Sequence, residues 1–254
     1  SSDVCSSDLM PEGPSIVILK EAIDSFRGKK ILEADGYGKG LAYGRLHGTK
    51  LKDIKTFGKH LLLCFPDFTI RIHLLMFGNY RINNDKKDRN PKLRLRFADG
   101  QTLSFYACSI VMLTQPLHDL YDWSVDVMNP AFTVKKTIER LSHHPKMTAT
   151  DALLDQTIFA GSGNIIKNEV LFRVKIHPKS KIGNIPLPLL RKMIKETVHY
   201  SFQFKEWREA GTLRKHWLVY TKKICPRDGA KIKKQYLGIA SRRTFYCPAC
   251  QKLY

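Results

Sequence analysis

Between Pro116 and Pro130 the hydrophobic pattern of this chain changes its period, and that change limits the folds open to it. From Lys30 to about Ser109 the apolar residues come in short β-branched and aromatic runs broken by turn residues. The runs are Ile54–Phe57, His60–Phe65, Phe68–Leu75, Leu93–Phe97 and Thr102–Ala107, and several strands at this spacing predict a β-sandwich or barrel. The polar, proline-containing stretch Asn83–Pro91 reads as a loop between strands. From about Thr133 the spacing becomes helical, with candidate helices over Thr133–His143, Thr148–Gln156, Asn164–Arg173 and Leu187–Phe204. Ile166 and Val170 share a face of the third; Leu190, Met193, Ile194 and Val198 share one of the fourth. A further helix leads the chain, where Ile16, Leu19, Ile23 and Phe26 fall on one side, Pro14 suits the first turn and Gly28 the end. The expected fold is α+β: a β-rich N-terminal domain, a helical domain, and a small basic tail containing cysteines.

Charge narrows the partners. Lys and Arg outnumber Asp and Glu by 43 to 23, a net charge of +20. From Lys205 to Tyr254 thirteen bases face three acids (Glu206, Glu209, Asp228), so the tail carries +10 of that charge. Such a balance is the footprint of a nucleic-acid binder, with a generally basic soluble protein as the alternative. No stretch approaches the 18 or more apolar residues of a membrane span. Cys64 and Cys108 lie in apolar strand-like runs and read as buried thiols, so the six cysteines are not a disulfide framework and the chain reads as cytoplasmic.

The tail's cysteines have a metal-site spacing. Cys225-Pro-Arg-Asp228 is followed, after eighteen residues, by Cys247-Pro-Ala-Cys250. Two such knuckles 15–20 residues apart mark a four-ligand structural zinc site, here with Asp228 in place of a fourth cysteine. The alternative is a ribbon that has lost its metal and is held by Tyr236, Leu237, Phe245 and Tyr246. Between the knuckles, Arg242 and Arg243 are adjacent on a predicted hairpin and face opposite sides, so one can reach a phosphate. Gly161-Ser-Gly-Asn164 precedes a helix start, where backbone amides can hold an anion.

The N-terminus carries the most specific chemistry. Met10-Pro11-Glu12-Gly13-Pro14 places a carboxylic acid directly beside a proline. If the chain starts at Met10 and the methionine is removed, Pro11 is a secondary amine able to form a Schiff base. An α-amino group, with its reference pKa of about 7.7–8.0, is more often unprotonated near neutrality than a lysine. As an internal amide Pro11 has no such lone pair. Residues 1–9 carry two acids, no base and no apolar run, and read as an upstream artefact, a misassigned start or a removable leader.

Taken in order, Met10-Pro-Glu-Gly-Pro, Gly58-Lys59-His60-Leu-Leu, His73-Leu-Leu-Met76-Phe-Gly78, Asp151-Ala-Leu-Leu-Asp-Gln156, Gly161-Ser-Gly-Asn164-Ile, Glu169-Val-Leu-Phe172 and the cysteine tail resemble the Fpg/Nei family of bifunctional DNA glycosylases. That family includes formamidopyrimidine-DNA glycosylase and endonuclease VIII. The resemblance covers Met10 to Tyr254 and implies a catalytic β-sandwich over 10–125 and a helix–two-turn–helix domain over 126–220. A zinc-ribbon-like finger over 221–254 follows, and damaged double-stranded DNA binds between the domains of a monomer. It implies that Pro11 attacks C1′ of the damaged nucleotide, that Glu12 acts as acid/base at the sugar, that Lys59 joins them as a catalytic residue, and that Lys59, Asn164 and Arg242 grip phosphates. Met76 would fill the hole left by the flipped base, with core packing beside Leu74 and Leu75 as the rival reading. It implies Zn²⁺ held by Cys225, Asp228, Cys247 and Cys250, and a cytoplasmic, bacterial-type, nucleoid-associated enzyme. A non-catalytic damage-binding protein and a scaffold that binds a partner through its ribbon are the alternatives. The chain departs from the family in three places: Ser15 stands where a second glutamate is common, Phe105–Ser109 lacks the arginine of a second intercalating loop, and Asp228 replaces a cysteine.

Overall fold

The computed structural model describes residues 11–254. These form two compact units, one of Pro11 and residues 16–121, the other of residues 12–15 and 122–254. The first opens with α1 (Gly13–Ala22), whose initial residues are counted with the second unit. Its strands are β1 (Ile31–Asp35), β2 (Asp53–Phe57), β3 (His60–Cys64), β4 (Thr69–His73), β5 (Asn79–Ile82), β6 (Leu93–Phe97), β7 (Thr102–Tyr106) and β8 (Ser109–Leu113). They make two antiparallel sheets in the orders β1-β6-β7-β5 and β2-β3-β4-β8. The expected sandwich is therefore present, with β1, β5 and β8 added to the runs legible in the sequence.

One apolar core holds this unit together. Leu61, Leu63, Ile70 and Ile72 of one sheet and Leu93, Leu95, Phe97, Leu103 and Phe105 of the other are buried in it. Ile16, Leu19, Ile23 and Phe26, the predicted face of the leading helix, lie in the same core. The helix itself ends at Ala22, and a 3₁₀ turn over Asp24–Phe26 carries Phe26 inward. Gly28 then ends the segment at φ +83°, a left-handed backbone position that glycine adopts without steric cost.

The second unit contains α3 (Val134–Ser142), α4 (Ala149–Leu154), α5 (Asn164–Arg173) and α6 (Leu187–Glu209), and ends in the antiparallel hairpin β9 (Lys233–Leu237) and β10 (Arg242–Tyr246). The short α2 (Leu117–Leu120) lies at the end of the first unit. Thr133 and Thr148 cap α3 and α4 by accepting backbone N–H groups in the first turn.

The sequence expectation for α5 needs correcting. Spacing implied a single apolar face, but every residue from Asn164 to Phe172 is buried. The reason is its surroundings: α4, α6 and β10 all pack on it, so its polar residues must find partners inside the protein.

Candidate functional site

In the second unit the site is built around Glu12. Its residue is 1% exposed, and its carboxylate faces the start of α5. Oε1 accepts the N–H of Ile165 at 2.7 Å; Oε2 accepts those of Gly163 at 3.1 Å and Ile166 at 3.2 Å. The first N–H groups of a helix have no partner within it and carry the positive end of its dipole, so they suit an anion. Gly163 is required for this approach: a Cβ there would lie 2.5 Å from Glu12 Cδ. The N–H of Gly13 donates to the carbonyl of Gly161 at 2.8 Å and fixes the segment from the other side. The result is a buried, oriented carboxylate directly beside Pro11. Ser15 is buried too, and its hydroxyl has no hydrogen-bond partner among the described residues.

The same helix carries the tail. Asn164 is buried, and its side-chain amide donates to the carbonyl of Arg243 at 3.0 Å. Asn168 accepts the N–H of Phe245 at 2.7 Å. The Glu169 carboxylate accepts the N–H groups of Leu218, Val219 and Tyr220, and burial raises its pKa against those bonds. Arg242 and Arg243 are exposed on β10, opposite Leu237 and Tyr236 of β9. Phe245 and Tyr246 are buried, whereas Tyr236 is exposed and does not help to hold the ribbon as the metal-free reading required.

The metal-type spacing closes into one cluster. The donor atoms of Cys225, Asp228, Cys247 and Cys250 all lie within 4.8 Å of one another. Cys225 Sγ is 3.9 Å from Cys250 Sγ, and Cys247 Sγ is 3.3 Å from Asp228 Oδ2. With metal–sulfur bonds of about 2.3 Å, tetrahedral thiolates stand roughly 3.8 Å apart, so the group fits one ion. Arg227 supports it: its guanidinium lies 3.7 Å from the Phe172 ring centroid and donates to Cys250 Sγ at 3.6 Å.

In the first unit, Lys59 sits in the turn between β2 and β3, where Gly58 has φ +52°. Close by, the pKa of His73 is lowered by burial and then by the charges of Lys59 and Arg71. Burial, Arg71 and His73 push His60 down to about 4. Both imidazoles are thus neutral near pH 7, and the positive charge here belongs to Lys59 and Arg71. Nδ1 of His73 accepts the N–H of Leu75 at 3.0 Å, and Leu75 has φ +55°. That turn leads into three consecutive exposed apolar side chains, Leu75, Met76 and Phe77, the last 71% exposed. Core packing, the rival reading for Met76, is excluded by its 49% exposure; only Leu74 is buried. Gly78 closes the loop by donating to the Leu74 carbonyl at 2.7 Å. On the neighbouring connection, β7 ends at Tyr106 and β8 begins at Ser109. The two residues between them include the buried Cys108, so no wedge projects from this turn.

Pro11, Lys59 and Met76 thus belong to one unit, and Glu12, Asn164, Arg242 and the cysteine cluster to the other. Residue 10 and those before it, including Cys5 and the expected leader, lie outside the described residues.

Two family models match this chain: the N-terminal domain of formamidopyrimidine-DNA glycosylase over residues 10–108, and the H2TH domain of the same enzyme over residues 124–202. The chain belongs to the Fpg/Nei family. It is 32% identical over 226 residues to endonuclease 8-like 3 of Xenopus laevis, covering 82% of this chain and 35% of that protein. It is 32% identical over 197 residues to endonuclease 8-like 2 of Bos taurus, covering 72% of this chain and 58% of that one. The chain therefore spans between about a third and three-fifths of the length of these curated relatives. In fold it is similar to Lactococcus lactis formamidopyrimidine-DNA glycosylase, solved non-covalently bound to DNA containing an AP site. That match has a TM-score of 0.83 and 24% identity, and covers 95% of this chain and 99% of that one. Among the described residues no helix is long and apolar enough to cross a membrane.

Sequence reasoning missed Lys167, Asn168 and Arg227 as site-building residues. Lys167 and Asn168 left one signal, a polar Lys167-Asn168-Glu169 run between Ile165-Ile166 and Val170-Leu171-Phe172; nothing in the sequence marked Arg227.

Proposed function

We propose that this chain is a base-excision DNA glycosylase with AP-lyase activity that removes oxidised bases from duplex DNA. The observation that carries the reading is the buried Glu12 carboxylate, oriented by three backbone N–H groups beside Pro11. With Pro11 as the N-terminal residue, its amine forms a bond to C1′ of the damaged nucleotide. The glycosidic bond breaks, and its electron pair leaves with the base, which takes up a proton. The Pro11 nitrogen gives up its own N–H proton and so regains a lone pair; the C1′–O4′ bond then opens, O4′ takes a proton, and that lone pair completes the iminium. The iminium acidifies C2′; loss of that proton forms a double bond and expels the 3′ phosphate. Each step delivers or removes a proton at the sugar, a task for one carboxyl group held in place, and we assign it to Glu12. A non-catalytic binding protein needs no such group, and the comparisons give that alternative no support.

Lys59, Asn164 and Arg242 are assigned to phosphates around the lesion. The charges of Lys59 and Arg71, which after burial lower the pKa of His73, support the first. A base must leave the stack before its C1′ can be reached, at a cost of a few kcal/mol. The exposed Met76, flanked by Leu75 and Phe77, supports a wedge into the vacated space. One loop supplies all of it, because the β7–β8 turn carries no arm. Zn²⁺ suits Cys225, Asp228, Cys247 and Cys250 and would act as a structural cross-link that ties the two ends of the tail hairpin together. The expected partition into 10–125, 126–220 and 221–254, a monomeric state and a cytoplasmic site of action complete the proposal.

Borohydride trapping tests it. Protein beginning at Pro11 should form a stable cross-link to an abasic duplex, because an iminium is reducible and a non-covalent complex is not. Protein retaining residues 1–10 should not. Equal trapping of both forms reassigns the nucleophile to a lysine.

A further inference from the structure

Lys167 is fully buried, at 0% exposure, and no other lysine among the described residues is buried. Removing an ammonium from water costs several kcal/mol unless hydrogen bonds and opposite charge compensate, and an apolar side chain would fill the same space more cheaply. What Lys167 gains is specific. Its Nζ donates to Thr244 Oγ1 at 2.8 Å and approaches the Arg243 carbonyl at 3.5 Å. Asn164 and Asn168, three residues before it and one after, donate to that same carbonyl at 3.0 and 3.3 Å. Positions i, i+3 and i+4 lie on one helix face, so one side of α5 converges on a single peptide of β10. The groups that set its charge are Glu12 and Asp151, which favour the ammonium, and Arg242, which opposes it. The far end of the hairpin is held separately, by Asp151 Oδ1 accepting the N–H of Ile239 at 2.8 Å.

We propose that Lys167 is a positioning residue of the DNA grip: by holding Thr244 and the Arg243 carbonyl it fixes the strand from which Arg242 projects, so that Arg242 meets a phosphate already oriented. The inference rests on the assignment of Arg242 to a phosphate. It extends that assignment to a residue that touches no DNA. The helix that seats Glu12 thereby also aims the arginine, and the acid/base group and the grip share one support.

The test is a double-mutant cycle on the full chain, with K167M, R242A and the pair. The probe is a duplex containing a tetrahydrofuran abasic analogue, bound at several salt concentrations. K167M should weaken binding about tenfold and flatten the salt slope by about one counterion, as R242A does. The double variant should bind within twofold of R242A alone, because the two changes remove one function. In cleavage of an abasic duplex by protein beginning at Pro11, K167M should raise the half-saturating concentration and leave the rate at saturation within twofold. Should K167M fail to fold, T244V removes the hydroxyl that Lys167 holds and should weaken binding about threefold, an effect also absorbed by R242A. Losses that multiply in the double variants would overturn the proposal, as would unchanged binding by both K167M and T244V. A fall in the saturated rate would place Lys167 with Glu12 and overturn it likewise. If R242A itself binds like the parent chain, Arg242 leaves the grip and this inference falls with it. Loss confined to K167M and T244V identifies that case.

Discussion

Replacing Glu12 by glutamine preserves its size and separates two roles that the structure superimposes. The carboxylate accepts three backbone N–H groups, one through Oε1 and two through Oε2. A glutamine can offer its oxygen to the pair now on Oε2, but its NH₂ then faces the N–H of Ile165, donor against donor. A buried donor left unsatisfied costs about 1–3 kcal/mol. Loss of the negative charge at a helix start adds roughly 0.3–1 kcal/mol, up to ~2 when partly buried. The sum is about 1–5 kcal/mol of stability, or a melting shift of roughly 3–20 °C at this chain length. Proton transfer is lost as well, a function worth ~10²–10⁴ in rate. Thermal denaturation followed by fluorescence should show the shift, and single-turnover excision below the new midpoint should show the rate loss. Equilibrium binding to an abasic analogue should change little, since Glu12 grips no phosphate. Unimpaired excision would refute the catalytic role, and an unchanged midpoint would refute the hydrogen-bond geometry; the two results are independent.

Four further outcomes follow from the same structure. Gly163→Ala should resemble Glu12→Gln in stability and excision, because its Cβ would occupy the position 2.5 Å from Glu12 Cδ; a neutral substitution in both assays would show that the approach can relax. Lys59→Ala should weaken binding to damaged and undamaged duplexes alike and flatten the salt slope by about one counterion, and an unchanged slope removes it from the grip. Purified protein should contain one zinc per chain by elemental analysis, and Asp228→Cys should hold it more tightly by completing a four-sulfur set; absence of zinc would leave Phe245 and Tyr246 to hold the hairpin alone. The pKa of Lys167 is lowered from its ordinary value to about 7, chiefly by burial. The folded state therefore binds fewer protons than the unfolded one above pH 7, so the destabilising effect of this lysine is full below about pH 7 and fades as pH rises toward its unfolded value. Urea unfolding at pH 6.5 and 9 should accordingly show the stability gap between Lys167→Met and the parent chain shifting in the parent's favour at the higher pH.

Much of the architecture was legible without coordinates. The strand runs at Ile54–Phe57, His60–Phe65 and Leu93–Phe97 and the helical face Ile16–Leu19–Ile23–Phe26 are local patterns, and burial on one side leaves a period that sequence records directly. The two knuckles in the tail are equally local: two short turns fix the ligand spacing, and hairpin pairing brings them together. Asp228, the least familiar of the four donors, joins the cluster on the same footing. The order of the motifs was enough to indicate the family.

What tertiary structure alone decided lies where partners are backbone or distant. Glu12 is held by N–H groups about 150 residues away, and since every non-proline residue has an N–H, no side-chain pattern could announce them. Helix α5 has one apolar face in sequence and is buried on all sides in the fold, because three neighbours enclose it. That enclosure turns Asn164, Lys167, Asn168 and Glu169 from surface polar residues into the internal framework of the site. Met76 shows the converse. Its apolar neighbours suggested a core, but the left-handed turn at Leu75 and the tight closure at Gly78 lift it out of the sheet, and a turn of that kind is set by backbone angles, not by hydrophobicity.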